Sequence, residues 1–194
     1  VDTLKSVTSP LQFDLVGVII SITTNDLIMP APSYTRQNES LDDFIVRNNV
    51  RKELASRVKE WTEQYCDAIT QNYEDYHVYI LNHNLQCENE SSRDYAKQQL
   101  KELENGTANL MKFRIKEGRK YYKIIQVEFD SRLQKYRDGS VHSFVDKNTG
   151  EVYMAASWKS PAKHVRFDMR IIKERELLHN PSFVTWNTGY LYMR

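Results

Sequence analysis

The stretch that decides the fold is residues 137–166, RDGSVHSFVDKNTGEVYMAASWKSPAKHVR. Within it, residues 141–145 and 151–155 alternate apolar and polar side chains on either side of the segment DKNTG. The Asn and Gly of that segment tolerate positive φ, so the pattern predicts a β-hairpin. A basic segment with one large aromatic side chain follows directly, and we expect it to be a loop.

The composition is that of a globular protein with its own core. The chain has 194 residues, of which 40% are hydrophobic and 27% are charged. Its longest apolar run, residues 15–22, is far shorter than the roughly 20 residues that cross a bilayer, so we expect no membrane association. The N-terminus lacks the pattern of a signal peptide. Cys66 and Cys87 are too few for a disulfide framework or a zinc site, and we expect reduced thiols.

Charge is divided unevenly along the chain. The formal net charge is +1, yet residues 1–110 hold 10 Lys/Arg and 17 Asp/Glu, whereas residues 111–194 hold 17 and 9. A basic region of this kind suits a nucleic acid or an acidic protein as partner. The alternative is that the two regions complement each other across an internal or dimeric interface, and the sequence does not decide between them.

The acidic region is predicted to be mainly helical. Residues 13–22 are typical of a buried strand, and a proline-containing loop follows. A helix is predicted from about residue 41 into the eighties, because apolar side chains recur every three or four residues and acidic residues favour its first turn. A second helix is predicted with Ser91 or Ser92 as its cap and residues 105–106 as its stop, which gives an antiparallel helical hairpin.

From residue 110 the apolar period changes to two, which predicts strands. Residues 111–116 and 120–129 are predicted to form a hairpin, and a turn at Asp138-Gly139 leads into the hairpin of residues 141–155. The result is an antiparallel meander of about four strands. Residues 170–178 suit a short helix, and residues 186–192 suit a turn and an edge strand.

The predicted fold class is therefore α+β. It consists of an N-terminal strand, a long helical hairpin, an antiparallel β-meander and a short C-terminal helix. The acidic, mainly helical region is residues 1–110 and the basic, β-rich region is residues 111–194, either as two domains or within one compact domain.

Candidate catalytic groups are sparse. His77 and His83 are about 240° apart around a helix, so they do not present a shared face to a metal. The six glycines are scattered singly, which argues against a phosphate-binding loop. Ser140 and Ser143 lie close to His142, but neighbours on a strand face opposite sides unless the strand is bulged. We expect no catalytic residues, no metal and no cofactor.

The basic segment is the remaining candidate site. It combines charges that bind phosphate with a surface for stacking, as in proteins that hold single strands without reading bases. The alternative is that its tryptophan packs into the core and its charges are merely solvated at the rim. The candidate binding residues are Trp158, Lys159, Lys163, His164, Arg166 and Arg170. On the first hairpin, this basic surface would be extended by Lys112, Arg114, Arg119, Lys120 and Lys123.

The same part of the chain carries a family resemblance. The runs SVHSFVDK (residues 140–147), TGEVY (149–153) and AASWKSPAK (155–163) resemble small proteins of tailed bacteriophages, especially cyanobacterial and marine phages. The ending GYLY (189–192) is similar to the ending of those proteins. The resemblance implies a phage gene product in the host bacterial cytoplasm or in the virion, and it implies no catalytic residues and no ligand.

Two functions are consistent with these patterns. In the first, the chain is a phage-encoded, non-enzymatic accessory protein whose basic β-rich half contacts a nucleic acid or an acidic protein. In the second, it is a virion structural or assembly component that uses the helical hairpin for subunit packing. The second function predicts a homo-oligomer.

Overall fold

The computed structural model describes residues 40–192. Two helices precede a five-stranded sheet, and a short helix follows it. The α+β class, the helical hairpin and the β-meander predicted from the sequence are therefore confirmed. The strand predicted at residues 13–22 lies outside the described residues. From Leu41 onward the chain forms one compact unit.

Two helices form the acidic part of this unit. Helix α1 is Leu41–Leu85, with 45 residues, and is about 70 Å long at 1.5 Å per residue. It continues unbroken through residues 76–81, YHVYIL, although aromatic and β-branched side chains of this kind are common in strands. Helix α2, Glu90–Glu104, packs against α1. Its cap is Asn89, whose side chain accepts a hydrogen bond from the Ser92 amide, so the prediction of a serine cap was wrong because an equally good capping side chain comes earlier.

The basic part is one antiparallel sheet. Each strand pairs with the strands that come directly before and after it in the chain. The predicted loop after the second hairpin is a turn at residues 156–160, which holds Trp158, followed by the fifth strand of the sheet. Charged side chains and an extra residue hide the alternation of this strand, as is common at the edge of a sheet. The strands are β1 Lys112–Glu117, β2 Tyr121–Asp130, β3 Lys135–Asp146, β4 Glu151–Ala155 and β5 Pro161–Asp168.

The predicted turn at Asp138-Gly139 was also wrong, because both residues lie inside β3. The turn between β2 and β3 is at residues 131–134. The pairing of β2 with β3 shifts near Gly139, and a Cβ there would lie 3.2 Å from the carbonyl oxygen of Gln126. Glycine is used at this position for a close backbone approach within a strand, not for a turn.

A second irregularity of β3 lies at His142. Ile124 of β2 is opposite Ser143, and the next residue, Ile125, is opposite Val141. His142 is therefore an extra residue in β3, which defines a β-bulge. Because residues directly opposite each other share a face, Val141 and Ser143 face opposite sides of the sheet although they are two positions apart.

The core lies between α1, one face of the sheet and the C-terminal segment. Val58, Tyr65 and Ile69 contribute the face of α1, and the apolar period predicted for this helix places them correctly. Helix α3, Ile172–Leu178, confirms the predicted C-terminal helix. The sheet and C-terminal residues buried in the same core are Phe113, Tyr122, Ile124, Val145, Val152, Met169, Leu178, Val184 and Leu191.

The C-terminal segment is held by side-chain hydrogen bonds instead of strand pairing. The Asn72 amide of α1 donates to the Pro181 carbonyl at 2.8 Å and accepts from the Trp186 amide at 3.0 Å. The Arg166 guanidinium donates to the Leu191 carbonyl at 2.6 Å. The segment ends in a 3-10 helix, Gly189–Leu191. The edge strand predicted at residues 186–192 was wrong, because these tertiary contacts take the place of a strand partner.

Gly150, in the turn between β3 and β4, provides a test of this packing. Its φ is +74°, and an added Cβ would lie 3.2 Å from a methyl group of Val58 and 3.4 Å from Cβ of Met169. Gly106 has a similar φ of +68° but open space around it. Both Gly→Ala substitutions impose a backbone cost of about 1–2 kcal/mol. We expect G150A to lose roughly 1 kcal/mol more than G106A in urea unfolding because of crowding; equal losses would contradict the close approach to α1.

Candidate functional site

The turn between β4 and β5 presents two of the predicted binding residues at its tip. The amides of Ala156 and Ser157 both donate to the Ser160 carbonyl at 3.1 Å. The Ser157 hydroxyl accepts from the amides of Lys159 and Ser160, each at 3.2 Å, and lies 2.8 Å from the Ser160 hydroxyl. The two hydroxyls are thus used to fix the turn. Trp158 and Lys159 project from a backbone that is ordered by its own hydrogen bonds.

Trp158 lies beside two lysines of the sheet. Its side chain is 39% exposed, and the ammonium groups of Lys116 and Lys123 lie 6.0 and 5.8 Å from its ring centroid. The Lys123 ammonium also donates to the Trp158 carbonyl at 3.0 Å, which ties the turn to β2. Trp158, Lys159, Lys116 and Lys123 are called the lysine–tryptophan patch below. The alternative prediction, a tryptophan buried in the core, is wrong.

The register of the sheet explains why this patch forms. Lys116 of β1 is opposite Lys123 of β2, which is opposite Phe144 of β3, and Phe144 is opposite Tyr153 of β4. All four therefore share the face that α1 does not cover. Phe144 is fully buried, with the Lys123 ammonium 5.5 Å from its ring centroid. The lysine–tryptophan patch thus lies beside a buried aromatic ring that Lys123 covers.

The charges of the patch are only partly compensated. Lys116 lies 3.7 Å from the Asp138 carboxylate, which also pairs with Arg114. The hydrogen bond from Arg114 holds the pKa of Asp138 below its usual range. Within residues 40–192, Lys123 and Lys159 have no carboxylate within ion-pair distance. The patch therefore presents net positive charge beside an exposed indole ring.

The acidic helices do not neutralise the basic sheet through ion pairs. Among the described residues, every ion pair joins two helix residues or two residues of the sheet region, and none joins α1 or α2 to the sheet. The core between them is formed by apolar and hydrogen-bonded side chains instead. Of the alternatives left open by the sequence, internal charge complementarity therefore does not take the form of ion pairs in this part of the chain.

The other predicted binding residues are divided between exposed and structural positions. Lys163 and His164 are exposed on β5, where charged side chains also protect a sheet edge from pairing. Arg166 is engaged with the carbonyls of His164 and Leu191. Arg170 forms a fork with the Asp168 carboxylate, at 2.6 to 3.1 Å. The two arginines therefore have structural partners.

Lys116 is the patch residue that the sequence interpretation missed. Lys123 was named as an extension of the basic surface, but its neighbour across the β1–β2 pair was not. Lys112, Arg114 and Lys116 alternate along β1, which is a visible signal for one basic face. This alternation does not reveal how β1 and β2 are aligned. Only the pairing of Lys116 with Lys123 brings Lys116 beside Trp158.

His142 and Ser143 do come together, because the bulge turns both side chains into the core. Nδ1 of His142 lies 3.2 Å from the Ser143 hydroxyl, and Nε2 lies 3.1 Å from the Thr185 carbonyl. Burial lowers the pKa of His142 to about 4, so the ring is neutral at pH 7. The histidine is 2% exposed and the serine 0%. A pair sealed in this way has no route to a substrate, and it serves to anchor the C-terminal segment.

In the described part, no three His, Cys, Asp or Glu side chains are grouped as metal ligands require. Cys66 and Cys87 are both free thiols. None of the helices between residues 40 and 192 has the length and apolarity that a membrane span needs.

Comparison with known proteins adds one finding. A family model described as a family of unknown function (DUF7717) matches residues 41–193. The chain belongs to this family. The DUF7717 match begins at the first residue of α1 and includes both long helices, all five strands and the lysine–tryptophan patch. No significant match is found among curated proteins or among solved structures.

The buried histidine makes stability depend on pH. Because the pKa of His142 is about 4 in the folded chain and about 6.5 when unfolded, the unfolded chain binds more protons between these values. The free energy of unfolding should therefore fall as pH drops from 7 towards 4, by roughly 3 kcal/mol from this residue. Urea unfolding at pH 7, 6 and 5 measures the slope.

The variant H142Q should flatten this pH dependence, and H164Q, at an exposed histidine, should leave it unchanged. Part of the slope remains in H142Q, since burial also lowers the pKa of His77 and His179. An unchanged slope in H142Q would mean that folding does not lower the pKa of His142.

Proposed function

We propose that the chain is a non-enzymatic accessory protein that binds single-stranded nucleic acid on the open face of its sheet. The observation that carries the proposal is Trp158, which is 39% exposed and flanked by Lys116 and Lys123. An exposed indole offers a base a face for stacking, which contributes about 1–3 kcal/mol per base. Lysines at its sides supply the charge that phosphates require.

The arrangement of side chains around Trp158 suits a single strand. The tryptophan stands on a turn with Lys116 and Lys123 beside its ring, so that a stacked base and its phosphates can be contacted at the same time. Lys123 contributes twice, since it donates to the Trp158 carbonyl at 3.0 Å and carries charge beside the ring. Recognition by stacking and charge implies little preference for base sequence.

The resemblance to phage proteins supports a cellular location for this proposed function. A phage gene product that binds nucleic acid would act in the host bacterial cytoplasm, where phage genomes are copied and packaged. An acidic protein is the other partner that a basic surface suits, and the test below separates the two.

Binding to a fluorescently labelled oligothymidine tests the proposal. We expect the anisotropy to rise with protein concentration and the affinity to fall with salt, with a slope of about −0.7 per phosphate contacted. W158A should weaken binding about tenfold or more through the lost stacking. The double variant K123E/K159E should weaken it further and make the salt slope shallower.

The control is K135E, which reverses the charge of the first residue of β3, outside the lysine–tryptophan patch. It should bind like the unchanged chain. The proposal fails if W158A binds normally, or if the affinity does not depend on salt. Polyglutamate that binds as tightly as the oligonucleotide would favour an acidic protein as the partner.

A second function, assembly in the virion, is supported by a different surface. The first turns of α1 carry several exposed apolar side chains, with Leu41 72% and Val46 62% exposed. Side chains of this kind on one helix segment are typical of subunit contacts. In this proposal the helical hairpin packs against other copies of the chain and the protein is a homo-oligomer. The remaining exposed apolar residues of the segment are Phe44, Ile45 and Val50.

Light scattering on the purified full chain tests the assembly proposal. We expect a mass above that of one 22.9 kDa chain, and V46K should reduce it by placing a charge in the contact. V78K, at another exposed position of the same helix, is the matched control and should keep the mass. A monomer at all concentrations would count against assembly through α1.

A further inference from the structure

A cavity of about 450 Å³ that is open to solvent lies between α1 and α3, away from the lysine–tryptophan patch. Its size is within the range of small-molecule sites. Three arginines from three different parts of the chain line it, together with a tryptophan and three aliphatic side chains. The lining residues are Val50, Glu53, Leu54, Arg57, Trp61, Arg170, Ile172 and Arg175.

Arg175 is the central charge of this cavity. Its guanidinium stacks on the Trp61 ring, 4.3 Å from the centroid. One nitrogen, Nη1, donates to the Met169 carbonyl at 2.9 Å. Its other two nitrogens have no hydrogen-bond partner among the described residues, and no carboxylate there lies within ion-pair distance of it. A stacked guanidinium that is held at one nitrogen leaves its remaining N–H groups fixed for an incoming acceptor.

The other two arginines differ in how far they are compensated. Arg57 pairs with Glu53, one turn earlier on α1, at 2.7 Å, and both side chains are more than half exposed. Arg170 pairs with Asp168, which does not line the cavity, and lies 3.7 Å from Glu151. Only one acidic side chain, Glu53, is part of the lining. The lining therefore carries excess positive charge.

The aliphatic side chains give the cavity an apolar side. Leu54 packs against the core, whereas Val50 and Ile172 are 60% and 61% exposed. Exposed aliphatic groups beside fixed guanidinium groups match a ligand that is anionic at one end and apolar at the other. Water or a simple ion would leave the apolar side without a partner.

We propose that this cavity binds a small organic anion, in which a carboxylate or phosphate group is attached to an apolar body. The anionic group accepts hydrogen bonds from Arg175, the arginine of the lining that has no carboxylate partner among the described residues, because guanidinium groups bind both kinds of oxyanion through paired N–H groups. The apolar body contacts Val50, Leu54 and Ile172. This site is separate from the lysine–tryptophan patch, and the two can fail independently.

Nuclear magnetic resonance titration of the full chain tests the proposal. The signals to follow are the Trp61 indole N–H, assigned with W61F, and the Arg175 Nε–H. The probes are phenyl phosphate, benzoate, inorganic phosphate and phenol. We expect saturable shifts of both signals with phenyl phosphate or benzoate, weaker binding of inorganic phosphate and no shift with phenol. Comparison of the first two probes identifies which oxyanion is preferred.

Variants distinguish the contribution of the planar guanidinium group from that of its positive charge. R175K keeps the charge but loses the planar fork, and we expect it to bind the preferred probe about tenfold or more weakly. R57Q, at an exposed position, leaves the stacked arginine in place and should weaken binding by a smaller factor. R137Q, at an arginine of β3 outside the lining, is the matched control and should bind normally.

The proposal is overturned if no probe causes saturable shifts at Trp61 and Arg175. It is also overturned if R175K and R57Q both bind like the unchanged chain, or if inorganic phosphate binds as tightly as phenyl phosphate. R57Q changes a solvent-exposed side chain, so we expect it to leave folding intact. Its binding result can therefore be interpreted even if R175K lowers the stability of the chain. Oligonucleotide binding by W158A and by R175K shows whether the two sites act separately.

Discussion

The burial of one face of α1 is the constraint on which the described structure depends. This face meets the sheet and the C-terminal segment at once, and Tyr65 lies at the meeting point with its hydroxyl bonded to that of Tyr190. Burial raises the pKa of both phenols, so the contact joins two neutral groups. Asn72, two turns further along, holds the segment by two more hydrogen bonds. The long helix thereby covers the face of the sheet that a second sheet would otherwise cover.

Covering one face of the sheet with helix leaves the other face to be stabilised by its own side chains. Aromatic rings and lysine side chains do this here, because a long ammonium side chain can cover a ring while its charge stays in water. Lys123 over Phe144 is the clearest case. The features that make this face soluble are therefore the same features that make it suited to a polyanion. The proposed binding surface and the stability of this face therefore depend on the same residues.

Local signals in the sequence predict most of the fold, whereas the sites depend on contacts between distant segments. The apolar period of α1 and the turn before Gly150 were interpreted correctly from neighbouring residues alone. The fifth strand was missed because an edge strand with an extra residue shows no clean alternation. Lys116 reaches Trp158 only through strand register, and Arg57 and Arg175 share a cavity only through tertiary packing. The basic segment itself was identified, since its composition is local.

The bulge at His142 means that β3 changes the phase of its inward-facing residues partway along its length. On the C-terminal side of the bulge the odd-numbered residues Ser143 and Val145 face α1, and on the other side Val141 faces away from it. Deleting this one residue would leave Ile124 opposite Ser143 and Ile125 opposite Val141, so that both halves of the strand keep their faces and only the extra position is lost. The cost of such a deletion would be the hydrogen bond between His142 and the Thr185 carbonyl, which ties β3 to the C-terminal segment, and not a reversal of the faces of the sheet.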